Sequence, residues 1–278
     1  MPTATSAPAD LKTLTTQMRR DIIRMIEAAG NGHPGGSLSV IDLLTVLYWK
    51  FLKHDPKRPD WEDRDRLILS KGHACPALYA VMAYRGYFPK EQLMTLRKLG
   101  SPLQGHPDRL RLPGIEFSTG SLGQGLSVGL GMACAAKLDK KDWKTVVVLG
   151  DGEVQEGQCW EAFMAAPKFK LDNLVAVVDY NGGQIDGPVK EVMDIEPLTD
   201  KLRAFNWEVQ AVDGHDLAAL EKAFAKAWAA KDGRPQAIVA NTVKGKGVSF
   251  MEHNIAWHGN APKKDDADKA VKEIENGR

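Results

Sequence analysis

A carboxylate stands in a turn whose glycines would otherwise suit a phosphate group. Residues 145–157 read TVVVLGDGEVQEG, so a run of mostly β-branched apolar residues leads into a turn with Asp151 between Gly150 and Gly152. A strand that ends in such a turn commonly cradles phosphate with backbone N–H groups. A carboxylate about 4 Å from a phosphate oxygen would repel it by several kcal/mol in a partly buried site. A divalent cation between the two groups would reverse the sign of that interaction.

A second oxygen donor follows at the spacing of one strand–helix–strand unit. Asn181 stands 30 positions after Asp151, at the end of the next apolar run, in VVDYNGGQIDG. Neighbouring parallel strands present their carboxyl ends at one edge of a sheet, where open α/β sheets bind ligands. Mg²⁺ takes oxygen ligands and commonly shares them between protein and phosphate. The pair therefore predicts a metal–diphosphate site; the alternative is that Asp151 caps a helix and Asn181 forms a turn.

Alternating strands and helices are expected to position this pair. Apolar runs predict strands, and apolar residues at steps of three and four predict helices between them. This alternation indicates an α/β fold, a parallel sheet with helices on both faces and helical additions at the N-terminus. A single domain is expected at 10–264, between a flexible leader at 1–9 and a charged C-terminal tail at 265–278. The predicted strands are 66–70, 145–149, 174–180, 207–212 and 236–241, and the predicted helices are 10–29, 38–52, 76–85, 89–99, 123–138, 155–169, 197–205 and 216–230.

Bulk composition excludes several classes of protein. The 278 residues include 37 basic and 36 acidic side chains, a formal net charge of +1, which gives no electrostatic signature for nucleic acid or an anionic membrane. Cys75, Cys134 and Cys159 are far apart and form no C-x-x-C pair, which argues against a disulfide framework and favours a reducing cytoplasm. The sequence contains no stretch typical of a membrane span or a signal peptide. We therefore expect a cytoplasmic protein without nucleic-acid or membrane partners.

Seven ordered segments resemble the N-terminal half of transketolase, a family of thiamine diphosphate enzymes. A lone GDG is a weak signal, but seven matching segments in one order are specific. The resemblance spans residues 10 to 262 and implies a thiamine diphosphate-binding fold that holds the diphosphate part of the cofactor. The segments are NGHPGGS, LSKGHACPALYA, QGHPD, STGSLGQGLSVGLGMA, GDGEVQEG, NGGQIDG and WHGNAP.

The resemblance implies particular ligands for the metal and the cofactor. Asp151 and Asn181 would bind Mg²⁺ or Ca²⁺ through their side chains, and Gly183 would bind it through its carbonyl oxygen. The family often has an asparagine where this chain has Tyr180, but only the following Asn181 is needed as a ligand. Glu156 would lie near a subunit interface that links cofactor sites. The residues implied to contact or adjoin the cofactor are His73, Gly120, Leu122, Gly152, Glu156, Asn181 and His258.

Four histidines in loops are suited to the proton transfers that ketol transfer requires. Ketol transfer moves protons on sugar hydroxyls, and imidazole does so near neutral pH. The resemblance implies that four catalytic histidines line the diphosphate, the thiazolium and the donor sugar. They are His33, His73, His106 and His258. The remaining histidines, His54, His215 and His253, are expected to be solvent-exposed. The segment KGKG at 244–247 is expected to be a solvated turn rather than a phosphate loop.

The resemblance also implies a second chain. In the family, a glutamate for the aminopyrimidine ring, an aromatic pocket for that ring and arginines for the sugar phosphate lie on another α/β domain, which has no counterpart here. We therefore expect the N-terminal subunit of a split transketolase in the pentose phosphate pathway, assembled with a C-terminal partner as α2β2. It would transfer a two-carbon ketol unit from a ketose phosphate to an aldose phosphate.

Two other classes stay open at this point. The same cofactor serves the α subunit of 2-oxoacid dehydrogenases and deoxyxylulose-phosphate synthase, and turnover with pyruvate would distinguish these from a transketolase. A non-catalytic assembly module with a vestigial site is the other class, which metal-dependent cofactor binding would test. Within the transketolase interpretation, the donor could be xylulose 5-phosphate or a sulfo-sugar, and the sequence does not choose between them.

Overall fold

A five-stranded parallel sheet forms the centre of the protein in a computed structural model that describes residues 10–277. The strand order is β1–β2–β3–β7–β6, and a short antiparallel ribbon, β4–β5, follows the end of β3. The five predicted strands and the parallel α/β class are confirmed. The strands are β1 (Arg66–Leu69), β2 (Thr145–Gly150), β3 (Leu174–Tyr180), β4 (Gly183–Gln184), β5 (Gly187–Pro188), β6 (Glu208–Asp213) and β7 (Gln236–Asn241).

Helices cover both faces of the sheet. Val146 and Val148 of β2 pack into the apolar cluster on one face, whereas Val147 and Leu149 pack into the cluster on the other. Because both faces are buried, β2 and β3 show continuous apolar runs rather than alternation. The first face carries α1 (Leu11–Ala29), α2 (Pro34–Val46), α3 (Cys75–Arg85), α8 (Leu217–Ala229) and α9 (Lys264–Glu275), and the second carries α4 (Gln124–Leu138), α5 (Gly157–Lys168), the single turn α6 (Val189–Val192) and α7 (Leu198–Ala204).

The N-terminal helices begin and end at local signals in the sequence. The Asp10 carboxylate accepts hydrogen bonds from the Lys12 and Thr13 N–H groups, and Gly30 ends α1 with a left-handed φ of 65°. The second predicted helix begins earlier than expected, because Pro34 occupies its first turn, where a missing N–H costs nothing. Beyond Val46 it continues as a π-helical turn at Leu47–Phe51.

The helix predicted at 89–99 is wrong in extent. The structure has only a 3₁₀-helix at Lys90–Thr95. Burial of Leu93 and Leu96 anchors this segment, and Arg97 then adopts a left-handed φ of 59°. The Arg97 N–H donates to the Leu103 carbonyl at 2.8 Å, so the chain turns back instead of extending the helix.

The region expected to be a charged C-terminal tail forms helix α9, which packs on α1. Its buried side chains recur at steps of three and four, while its charges lie on the outer face. The Arg24 guanidinium of α1 also pairs with Asp268 at 2.7 Å. The folded unit therefore continues past residue 264, whereas the leader at 1–9 lies outside the described residues. The buried side chains of α9 are Ala267, Ala270, Val271 and Ile274.

Two further expectations concern membranes and disulfides. Within residues 10–277, none of the helices combines the length and the apolar character needed to cross a bilayer. Cys75, Cys134 and Cys159 are all free thiols, with Cys75 and Cys159 buried.

We predict that shortening a buried side chain of α9 destabilises the whole domain. Ile274→Ala should lower the free energy of unfolding by about 2–5 kcal/mol, because it leaves a cavity between α9 and α1. Lys272→Ala on the exposed face of the same helix is the matched control and should change stability by less than about 0.5 kcal/mol. Urea unfolding of both variants makes the comparison. Equal, small effects would show that α9 is not part of the cooperative unit.

Candidate active site

The carboxyl ends of β2 and β3 open into a cavity of about 310 Å³. The strand register pairs Gly150 with Asp179, which places Asp151 and Asn181 side by side after the two strand ends, as their spacing predicts. The structure brings every predicted site residue to this one cavity, and their roles toward a ligand stay predictions. Those residues are His33, His73, His106, Gly120, Leu122, Asp151, Gly152, Glu156, Asn181, Gly183 and His258.

The three predicted metal ligands offer oxygens of different kinds. Asp151 is 1% exposed, and its carboxylate accepts hydrogen bonds from the Gly152 N–H at 2.9 Å and the Gly182 N–H at 2.5 Å. The Asn181 side-chain oxygen accepts from the Gly183 N–H at 3.1 Å. Burial, reinforced by the nearby Asp179, raises the pKa of Asp151 to about 6. A cation placed beside this carboxylate would favour its charged form.

These oxygens fit Mg²⁺ that shares its coordination with a diphosphate. Among residues 10–277, no group of three or more His, Cys, Asp or Glu side chains is arranged to hold a metal. A metal here would instead use one carboxylate, one amide oxygen and one backbone carbonyl. Mg²⁺ usually binds through few protein ligands and completes its octahedron with water and phosphate.

Lys244 lies in the segment 244–247, for which the sequence predicts a solvated turn, but it is buried. The side chain is 2% exposed, passes over Gly35, and donates from Nζ to the Gly183 carbonyl at 2.9 Å. Burial and the neighbouring Lys71 lower the pKa of Lys244 to about 8. The turn after β7 directs this side chain back across the end of β3, so an ammonium group lies beside the predicted metal ligands. It is suited to contact phosphate oxygens.

Lys71, which lines the cavity, forms a buried ion pair with Asp179, which does not. Asp179 Oδ2 also accepts hydrogen bonds from Ser39 Oγ at 2.6 Å and from Asn181 Nδ2 at 3.1 Å, and Oδ1 accepts from Thr242 Oγ1. Burial alone would raise the pKa of Asp179, but the Lys71 ammonium and these donors hold it below its ordinary value. Lys71 lies inside the motif LSKGHACPALYA, so its position two residues before His73 was the available signal.

Glu153 ties three strand and helix ends together from beneath the cavity. Its carboxylate accepts hydrogen bonds from the Gly123 N–H at 3.0 Å, the Gly150 N–H at 3.1 Å and the Ser70 hydroxyl. Burial raises the pKa of Glu153 despite these donors. The residue fixes the ends of β1 and β2 against the start of α4, a role that the sequence motifs did not predict.

The four predicted catalytic histidines form one cluster. The His33 ring centroid lies 5.3 Å from that of His73, 6.4 Å from that of His106 and 5.5 Å from that of His258. His73 and His258 stack with centroids 5.2 Å apart. Four loops that are distant in sequence therefore converge on the space above the predicted metal ligands.

Burial keeps these imidazoles neutral. It lowers the pKa of His33 to about 4, with smaller effects from Arg97, His106 and Lys244. Burial and the Lys244 ammonium lower the pKa of His258 to about 3. The pKa of His73 lies well below its ordinary value, first through burial and then through Lys71, and that of His106 is also lowered. A neutral ring can accept a proton from a hydroxyl group.

Several buried polar atoms around the cavity lack hydrogen-bond partners among residues 10–277. They are His33 Nδ1, His258 Nδ1 and Thr119 Oγ1. Buried polar atoms are nearly always hydrogen-bonded in native proteins. We therefore expect a bound ligand to supply the missing hydrogen-bond partners of these atoms. Gly120 adopts a φ of 139°, and a Cβ there would lie 3.2 Å from the His106 ring, so a larger residue would crowd this wall of the cavity.

Two of the three histidines expected to be solvent-exposed are in fact partly buried and hydrogen-bonded. His54 Nδ1 bonds to the Tyr87 hydroxyl at 3.0 Å and Nε2 to the Tyr48 carbonyl at 3.1 Å. His215 is bonded to Asp42 and to the backbone of Val243. Sequence neighbours gave no sign of these partners, which come from distant segments. His253 is exposed, as predicted.

Comparison with known proteins agrees with this fold. Residues 12–275 match the family described as the transketolase, thiamine diphosphate binding domain, and the chain belongs to that family. It is 47% identical over 249 residues to a 6-deoxy-6-sulfo-D-fructose transketolase subunit of Clostridium sp., covering 90% of each chain. It is 41% identical to an apulose-4-phosphate transketolase subunit of Phocaeicola vulgatus, covering 95% of this chain and 93% of that one.

Solved structures extend the likeness to the whole fold. The crystal structure of transketolase from Campylobacter jejuni superposes with a TM-score of 0.89 at 34% identity. The match covers 95% of this chain but only 42% of that one, so this chain spans less than half the length of that transketolase. The expected thiamine diphosphate-binding fold is thereby confirmed.

We predict that His33 and His258 stay neutral well below pH 6. Unfolded histidine titrates near 6.5, whereas the folded pKa values are about 4 and about 3. Between these limits the unfolded chain binds more protons, so the stability present above pH 6.5 is lost as the pH falls toward 4. NMR titration of the imidazole ring signals measures the midpoints directly.

Asparagine variants of His33 and His258 assign the two signals and serve as controls. Each variant should also reduce the loss of stability between pH 6.5 and 4, measured by urea unfolding. A ring midpoint at or above pH 6 for either histidine would contradict the prediction.

Proposed function

We propose that this chain is the diphosphate-binding subunit of a two-chain transketolase, which transfers a two-carbon ketol unit between sugar phosphates. The observation that carries the proposal is the convergence of Asp151, Asn181 and four neutral histidines on one cavity. The relatives that match over 90% or more of their own length are named subunits of transketolases, which supports the two-chain arrangement.

The predicted oxygens would hold Mg²⁺ (or Ca²⁺) together with the cofactor's diphosphate. Asp151 and Asn181 would bind the ion with their side chains, and the Gly183 carbonyl would complete the protein ligands. Gly152 leaves the backbone open to the diphosphate, and the Lys244 ammonium lies next to the Gly183 carbonyl, within reach of the same corner. When bound, thiamine diphosphate supplies the carbanion chemistry, so the protein has to orient it and control protons.

The histidine cluster would move protons on the sugar hydroxyls. His33 and His258 each have a buried nitrogen without a partner among the described residues, so each can bond to a donor or acceptor sugar. Their low pKa values keep them neutral, so each ring can accept a hydrogen bond from a sugar hydroxyl at the start of the reaction. His73 and His106 lie beside them and would line the space that the cofactor occupies.

The donor sugar defines two candidate functions. A phosphorylated ketose such as xylulose 5-phosphate is the first candidate. A sulfo-sugar is the second, and the 47% identity to a 6-deoxy-6-sulfo-D-fructose transketolase subunit favours including it. Parallel assays of the assembled enzyme with 6-deoxy-6-sulfo-D-fructose and xylulose 5-phosphate distinguish the two candidates by their kcat/KM ratio.

The cavity rim and α4 would bind the partner chain. Leu122 and Ile185 at the rim are 37% and 67% exposed. Along α4, Gly131, Ala135 and Leu138 are also exposed. Small and apolar residues allow close approach of another surface, and obligate interfaces of this kind resemble a protein core cut in half. We propose an α2β2 assembly, since two-fold symmetry is the commonest closed arrangement.

We predict that the metal site depends more on Asp151 than on Asn181. In the assembled enzyme, Asp151→Ala should abolish Mg²⁺-dependent binding of thiamine diphosphate, because it removes the one charged side chain among the predicted ligands. Asn181→Ala should weaken binding less, because it removes a neutral ligand. Calorimetric titration with thiamine diphosphate at saturating Mg²⁺ measures both affinities. Unchanged affinity in the Asp151→Ala enzyme would rule out the metal assignment.

We predict that ketol transfer requires the second chain. The purified chain alone should show no turnover, and adding the C-terminal partner should restore turnover together with a larger species in analytical ultracentrifugation. Ala135→Glu on α4 should weaken this assembly at least about tenfold by burying an unpaired charge. Ala225→Glu, at an exposed position of α8, is the matched control and should assemble normally. Full turnover by the isolated chain would refute the two-chain proposal.

A further inference from the structure

A network of hydrogen-bonded polar side chains runs from the N-terminal helices to the backbone at the cavity wall. Asp42 of α2 is buried and accepts two hydrogen bonds from the Arg19 guanidinium, at 3.0 and 2.5 Å. It also bonds to His215 Nδ1 at 2.7 Å. His215 Nε2 in turn accepts the Val243 N–H at 2.8 Å. The network therefore runs from α1 to the residue immediately before Lys244.

The bond to Val243 determines which nitrogen of His215 carries the proton. Because a backbone N–H donates to Nε2, that nitrogen has no proton, and the ring proton lies on Nδ1 facing Asp42. Burial alone would raise the pKa of Asp42, but Arg19 and His215 hold it below its ordinary value, so it stays a charged acceptor. With a partner on each nitrogen and only 13% of the side chain exposed, the ring cannot rotate freely.

The backbone after β7 is fixed on both sides of Lys244. The Thr242 hydroxyl donates to Asp179, and the Gly245 N–H donates to the Gly35 carbonyl at 3.0 Å. Between these two anchors, the bond from Val243 to His215 sets the direction in which the chain leaves the sheet. Lys244 then extends its long side chain to the Gly183 carbonyl. A small rotation at Val243 would move the ammonium group by a larger distance at the end of that side chain.

We propose that Asp42 and His215 are positioning residues that hold Val243 and thereby aim the Lys244 ammonium at the diphosphate-binding corner of the cavity. Neither side chain lines the cavity, so both act through Lys244 and not by touching the cofactor. The proposal rests on the proposed function, because it assigns Lys244 to the cofactor's diphosphate. It gives a role to His215, in the segment VDGHD at 212–216, that no other observation on the site explains.

Two substitutions of His215 separate its two hydrogen bonds. Glutamine places an acceptor near the Nε2 position and can keep the bond to Val243, whereas asparagine can reach only Asp42. His215→Asn should weaken thiamine diphosphate binding about tenfold or more, and His215→Gln should stay within about threefold of wild type. Calorimetry on the assembled enzyme at saturating Mg²⁺ measures the affinities, and thermal unfolding of both variants confirms that they are folded.

A double-mutant cycle tests whether His215 acts through Lys244. Lys244→Met removes the ammonium and keeps the length of the side chain. If the proposal holds, adding His215→Asn to Lys244→Met causes no further loss of cofactor affinity, because the group being positioned is already absent. A purely structural role for His215 gives the same fold-loss in both backgrounds. Such additivity, or wild-type affinity in the His215→Asn enzyme, overturns the proposal.

Two controls distinguish failure of the positioning role from failure of the proposed function. His253→Asn makes the same substitution at an exposed histidine and should bind like wild type. If Asp151→Ala abolishes binding while His215→Asn binds like wild type, only the positioning role fails. If the wild-type assembly does not bind thiamine diphosphate, or Asp151→Ala binds equally well, the proposed function itself fails.

Discussion

The burial of one carboxylate, Asp179, constrains the walls of the cavity. An isolated charge in a protein interior is so unfavourable that it must be paired and fully hydrogen-bonded. The groups that satisfy Asp179 come from three distant segments: Ser39 of α2, Lys71 after β1 and Thr242 after β7. Each of these segments also carries a residue of the cavity, respectively His33, His73 and Lys244. The hydrogen bonds and the ion pair of this one carboxylate therefore hold three walls of the site together. Removing Lys71 or Asp179 alone would leave the other residue as an unpaired buried charge.

The cavity disfavours charge on the groups that line it. Burial raises the pKa of Asp151 to about 6 and lowers that of Lys244 to about 8, and it holds the histidines neutral. The charged side chains that line the cavity are those of Lys71 and Lys244 together with the carboxyl groups of Asp151, Glu153 and Glu156. A diphosphate with a divalent cation matches this arrangement, since the cation favours the charged form of Asp151 and the phosphate oxygens favour that of Lys244. Perturbed titratable groups gathered in a cleft are typical of functional sites.

Patterns of neighbouring residues in the sequence predicted the strands and the spacing of the predicted metal ligands. The central strands show as continuous apolar runs because both of their faces are covered, and Asp151 and Asn181 lie one strand–helix–strand unit apart. Lys244 and His215 could not be recognised in this way, because lysine and histidine in glycine-rich turns are usually exposed. Their burial depends on partners far away in sequence, such as the Gly183 carbonyl and Asp42. In α9, abundant charge concealed a stripe of alanine, valine and isoleucine at helical spacing.

The cavity presents two kinds of unsatisfied surface, and they call for different partners. The unpaired nitrogens of His33 and His258 require hydrogen bonds, which a small polar ligand can supply. Leu122 and Ile185 expose apolar surface at the rim, which a diphosphate and a sugar would not cover. In the proposed assembly, the partner chain closes over this rim and excludes water from the histidines. Closing the rim removes the solvent that would stabilise a charged imidazole, so the rings stay neutral until a sugar hydroxyl transfers a proton to one of them.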